Sequence, residues 1–172
     1  QSFYVKPDGN IATVSMHDAN QKMMSSVYFR PDFNLADVPK LIYQGRAIDI
    51  IANTSISERR EEDWIEIQHY KKYLYLAAHE DIVIDTKQLC SNIIITEPVS
   101  GKQIDLMHIF LVIMTHIRYA CQNSSTPFSY QNVRLSVPIN AEPPQYAFMR
   151  AAAQAVFSDC HIDFTTEPEA AF

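Results

Sequence analysis

Glycine is scarce in this chain. Gly9, Gly45 and Gly101 are its three glycines in 172 residues, and each stands alone. Loops that cradle phosphate bring backbone N–H groups close to the oxygens and need clustered glycine, so neither a Walker-type nor a dinucleotide-binding loop is written in these residues. Cysteine is equally sparse. Cys90, Cys121 and Cys160 lie far apart without a Cys-x-x-Cys pair, which excludes a disulfide framework and a zinc ribbon and points to a reducing compartment, the cytoplasm. A surplus of positive charge is also lacking: 14 Lys and Arg stand against 20 Asp and Glu, a net charge of -6, so nucleic acid is not an expected partner. The most apolar stretch, Leu106 to Met114, contains His108 and is followed by His116 and Arg118. It falls short of the roughly 20 residues that cross a bilayer, and no membrane role is expected. Gln1 to Lys6 show no basic stretch leading into an apolar run, so no signal peptide is expected. The six histidines show no metal-ligand spacing, and no Gly-x-Ser-x-Gly elbow or local Cys-His pair suggests a nucleophile.

What is present describes a folded chain. Hydrophobic residues make up 47% and charged residues 20%, and a chain of this length buries roughly two thirds of the surface its unfolded form exposes. Phe3 to Lys6 and Ile11 to Ser15 read as strands around an Asp8-Gly9 hairpin signal, and Ser26 to Arg30 as a third strand. Ser57 to Ala78 opens with mixed charge and continues with Trp64, Ile67, Tyr70, Tyr73, Leu74 and Ala77, a spacing that predicts a helix with one buried face. Short strands are expected at Ile82 to Ile84 and Asn92 to Thr96, with a turn at Pro98 to Gly101. Asp105 is placed to cap a long helix striped by Leu106, Ile109, Phe110, Ile113, Ile117 and Ala120. Val133 to Val137 reads as a strand. Pro143 and Pro144 then suit a first helical turn, with Ala147, Phe148, Ala151, Ala152, Ala155 and Val156 expected on its packed side. His161 to Thr165 is a final strand, and Glu167-Pro168-Glu169 starts another helix. Strands, an insert, then helix, strand, helix and strand predict a mixed α/β sheet with crossover helices.

Two strand ends then give a family. Val133-Arg134-Leu135-Ser136-Val137-Pro138, a polar turn with Asn140, a helix through Gln145 and Arg150, and Thr166-Glu167-Pro168-Glu169-Ala170-Ala171 follow one another in order. That arrangement resembles the nucleotide-binding domain of the seventy-kilodalton heat-shock chaperones, in the actin-like ATPase superfamily. The resemblance implies lobe I of a ribonuclease H-like fold. Residues 1–40 would supply the first sheet strands of the main subdomain, 41–104 a smaller inserted α/β subdomain, and 105–172 the remaining helix, strand, helix and strand. It implies Mg-ATP as the ligand of the complete domain, with Glu167 holding water around the magnesium. It places Lys71, with Lys72 as the alternative, near the γ-phosphate, since two adjacent helical lysines point apart. Pro138, Tyr146 and Arg150 fall at the positions that couple nucleotide state to the outer surface. Tyr146 stands where the family has arginine and Arg150 where it has lysine, while Met23-Met24-Ser25-Ser26 replaces a threonine-proline-serine run.

The family's first phosphate loop would lie just before Gln1, and its second loop and adenosine pocket after Phe172. The reading is therefore a chaperone-like ATPase lobe, inactive by itself, whose partners are ATP, lobe II of the same domain, and a co-chaperone or client. A face bared by the absent lobe could pair with a second copy. Two other readings stay open: a non-catalytic interaction scaffold on a degenerate actin-like fold, and a filament-forming bacterial actin relative.

Overall fold

A computed structural model describes residues 2–5, 11–14, 26–29, 65–68, 70–78, 81–97, 101–122 and 131–166. Among these the chain forms a mixed α/β fold of small two-stranded sheets and three helices. Strands β1 (Ser2–Val5) and β2 (Ile11–Val14) pair antiparallel, Ser2 opposite Val14 and Val5 opposite Ile11, as the hairpin signal predicts. The expected helix from Ser57 to Ala78 is corrected. Ile65–Gln68 form strand β4, paired antiparallel with β3 (Ser26–Phe29), and Tyr70–Ala78 form a 3-10 helix. Ile65-Glu66-Ile67-Gln68 alternates apolar and polar side chains with period two, and the β3 partner selects that period over the helical one.

Strands β5 (Ile84–Asp85) and β6 (Cys90–Ser91) form a hairpin over a four-residue connection. The Asp85 carboxylate accepts the Lys87 and Gln88 amides at 2.9 Å each, and these bonds hold its pKa below the usual value. Leu89 closes the connection at φ 55, a left-handed backbone that costs a branched residue about 1–2 kcal/mol. Its side chain is 3% exposed, and burial of that size, worth about 1.5–3 kcal/mol, offsets the strain. Strands β7 (Ile94–Thr96) and β8 (Gln103–Asp105) form the next hairpin. Gly101 takes φ 69 where its amide reaches the Glu97 carbonyl, so the described end of the expected turn uses the freedom of glycine.

Helix α1 (Leu106–Gln122) follows β8 without a loop. Asp105 caps it as expected, accepting the Met107 amide at 2.8 Å. The expected stripe widens into a fully buried half: Leu106, Met107 and every residue from Ile109 to Met114 belong to the core. Helix α2 (Pro143–Val156) lies against it, and the Phe110 and Phe148 rings meet edge to face at 5.5 Å. Its buried face is Gln145, Phe148, Met149, Ala152, Ala153 and Val156. Ala151 and Ala155 are half-buried against the core as expected, while Ala147, expected inside, is exposed, and Met149 and Ala153 are buried instead. Arg118 ties the far ends of α1 and α2 together, donating to the Val156 carbonyl and pairing with Asp159 at 3.1 Å.

Strands β9 (Asn132–Val137) and β10 (His161–Thr166) are parallel, with α2 as the crossover between them. Val133, Leu135, Ile162 and Phe164 pack toward the core, while Arg134, Ser136 and His161 alternate to the exposed side. No helix among the described residues is long and apolar enough to cross a membrane.

Candidate functional site

The parallel pair places its two carboxyl ends level, with Val137 opposite Thr166. In open α/β sheets ligands bind outside such strand ends. Val137 is fully buried, and Pro138 after it is half-buried and has no N–H to extend the ladder, so the chain leaves the sheet there. A turn closes through the Ala141 amide on the Pro138 carbonyl at 3.0 Å and exposes Ile139. Glu142 then caps α2: its amide donates to Gln145 Oε1 at 2.7 Å, and the Gln145 amide returns to the Glu142 carbonyl at 3.0 Å. Gln145 is 1% exposed, and its Nε2 donates at 3.0 Å to the Leu74 carbonyl of the 3-10 helix.

Tyr146 and Arg150 come together, one helical turn apart, on the ring of Phe164 in β10. The Tyr146 ring meets it edge to face at 5.5 Å, and the Arg150 guanidinium lies 4.9 Å from its centroid. Arg150 Nη1 also donates to the Ile162 carbonyl at 3.1 Å, so its cation is committed to fixing α2 on β10. We expect Arg150→Ala to lower stability by about 1 kcal/mol, with Arg150→Lys recovering only part because an ammonium lacks the planar fork. The urea midpoint measures this; a midpoint unchanged in Arg150→Ala would refute it.

Lys72 is exposed, with Nζ 4.8 Å from the ring centroid of Tyr73. Lys71 belongs to the first turn of the same 3-10 helix, and its side chain lies outside the described residues, as does Glu167. The 3-10 helix packs on α2, and Gln145 in the first turn of α2 holds the Leu74 carbonyl of that helix. Among the described residues no group of three His, Cys, Asp or Glu side chains could hold a metal ion.

A second polar cluster sits at the start of α1, where the sequence shows only a cap. Asp105, 8% exposed, accepts the Ser91 amide at 2.7 Å and the Ser91 hydroxyl at 2.6 Å besides the Met107 amide. Burial first, and then the Asp105 and Asp85 carboxylates, push the Cys90 thiol above its usual pKa. A thiol so raised is a poor nucleophile. His108 lies one turn along α1 from Asp105, and both of its ring nitrogens are buried without a hydrogen bond of good geometry. Burial lowers its pKa, against weaker opposite effects from Asp105 and the Leu89 backbone. Ser91 and Asp105 are 14 positions apart, and no local spacing in the sequence pairs them.

No protein-family model, curated protein or solved structure matches this chain.

Proposed function

We propose that this chain is lobe I of a heat-shock-chaperone-like ATP-binding domain with an actin-like fold. In this reading it binds Mg-ATP and couples hydrolysis to conformational change when the rest of the domain is present, in the cytoplasm. The observation that carries the reading is the level ending of the parallel strands β9 and β10 around crossover helix α2. Pro138 and Glu167 follow directly in the sequence from those paired ends, Val137 and Thr166. A carboxylate at such a position suits Mg²⁺, which keeps most of its waters and takes hard oxygen contacts from outside its first shell. The anchoring of the 3-10 helix on α2 supports Lys71 or Lys72 as the positive charge near the γ-phosphate. The bound nucleotide supplies the phosphoryl group, and this chain's residues order water and charge around it.

Calorimetric titration with Mg-ATP of a polypeptide that extends through both phosphate loops should give saturable heat, and the 172 residues alone should give no measurable hydrolysis. An absence of binding heat from the extended polypeptide would refute the nucleotide reading; turnover by the 172 residues at the rate of a whole domain would refute their dependence on lobe II.

One observation favours the scaffold alternative. Tyr146 is packed on Phe164 where the family's arginine would serve the coupling route. A scaffold of this kind keeps the α2–β10 interface and shows no response to nucleotide.

A further inference from the structure

Gln145 uses both ends of its carboxamide on segments far apart in the chain. Nε2 donates to the Leu74 carbonyl, 71 positions away, and Oε1 accepts the Glu142 amide. The two bonds together fix which way the amide points, and the group is 1% exposed, so water does not compete for either. Its partner helix needs such an anchor. A nine-residue 3-10 helix is long for its kind, with poor internal hydrogen-bond geometry, and tertiary contacts decide where it sits. Leu74 and Ala77 supply buried but non-directional contact; Gln145 supplies the directional one. Lys72 and Lys71 lie two and three positions before Leu74.

We propose that Gln145 is a positioning residue: it locks the lysine-bearing 3-10 helix to the turn at the carboxyl end of β9, and so sets the distance between the lysine charge and the phosphates. The inference rests on the Mg-ATP reading above. Without the Nε2 bond the helix is free to shift on α2, and a charge displaced by about 1 Å loses much of its effect on a transition state. Nucleotide affinity, which the phosphate loops would supply, changes little.

In the polypeptide extended through the phosphate loops, Gln145→Met should lower the single-turnover hydrolysis rate about 10- to 100-fold while the Kd for Mg-ATP stays within about twofold. If Gln145 acts through the lysines, adding Gln145→Met to a Lys71→Ala, Lys72→Ala background should cost less than about a further twofold. Full additivity, or loss of affinity in step with the rate, would overturn the proposal. A wild-type polypeptide that binds no Mg-ATP overturns the nucleotide reading, and the positioning role with it.

The bond itself has a separate test in the 172-residue chain, which also covers a Gln145→Met variant that does not fold. A protonated glutamate at position 145 can donate to the Leu74 carbonyl and accept the Glu142 amide, whereas the carboxylate can only accept. Its folded-state pKa is therefore raised above the unfolded value. The stability it contributes is full below the unfolded pKa and lost as pH rises through the folded one. Gln145→Glu should melt close to wild type near about pH 4 and fall progressively below it toward about pH 8, each compared with wild type at the same pH. A deficit that does not vary with pH overturns the link, whatever the nucleotide result.

Discussion

Asp105→Ala is expected to destabilise the chain by about 3–5 kcal/mol, a fall in melting temperature of roughly 10 °C for a chain of this length. Three donors converge on that carboxylate: the Ser91 amide, the Ser91 hydroxyl and the Met107 amide, at 2.6–2.8 Å. At 8% exposure, water cannot replace what alanine removes. Hydrogen bonds to an ionised group contribute about 1.5–3 kcal/mol each, twice the neutral value, and loss of a helix cap adds about 1 kcal/mol. The sum is not additive, because Ser91 relaxes once its partner is gone and its hydroxyl keeps the Ile93 amide, which donates to it at 3.2 Å. Asp105→Asn keeps an oxygen for the cap and should cost about half as much. Calorimetric melting of the two variants checks the ranking; a fall below about 3 °C for the alanine variant would show the cluster to be dispensable.

His108 sets a pH dependence of opposite chemistry. Its ring nitrogens are buried without a hydrogen bond of good geometry, and burial lowers its pKa. The neighbouring Asp105 carboxylate and, after it, the Leu89 backbone favour the charged ring and oppose this more weakly. The unfolded chain therefore binds a proton that the folded chain refuses. Stability is full above the unfolded value of about 6.5 and falls as pH drops below it toward the lowered folded value. His108→Leu removes both the proton site and two buried polar atoms that lack a hydrogen bond of good geometry. It should stabilise the chain by about 1–2 kcal/mol at neutral pH and by more near about pH 5. Chemical denaturation at several pH values measures the slope, and an equal gain at pH 8 and pH 5 would show that His108 does not titrate across folding.

The difference between these two residues shows how far one strand of residues can be read alone. Asp105 as a cap is local: its target amide is two positions away, and a short carboxylate before an apolar run has few other places to go. The β1–β2 hairpin and the α1 helix are local in the same sense, set by turn residues and by periodicity within some twenty positions, and so is each single element of the β9, α2, β10 run. The strand-end prolines and the helix through Gln145 and Arg150 could likewise be found as spacings, and they are what the resemblance rests on.

Tertiary structure decided the rest, for one physical reason: a periodic pattern states a period, and the partner chooses among periods and phases. Residues 65–68 satisfy both a helical and an alternating pattern, and pairing with β3 makes them a strand. The alanines of α2 define a face, yet in the packed helix Met149 and Ala153 are buried and Ala147 is exposed, a phase that the spacing of the alanines does not state. Ser91 on Asp105, and Arg150 with Tyr146 on Phe164, join residues 14 to 18 positions apart for which no local rule exists. The sequence by itself determined the polar character of each segment, the helix cap and the helix, strand, helix and strand order from Leu106 to Thr166. Only the packed structure decided which buried polar group is fully bonded and which is not, and that is where Gln145 and His108 acquire their consequences.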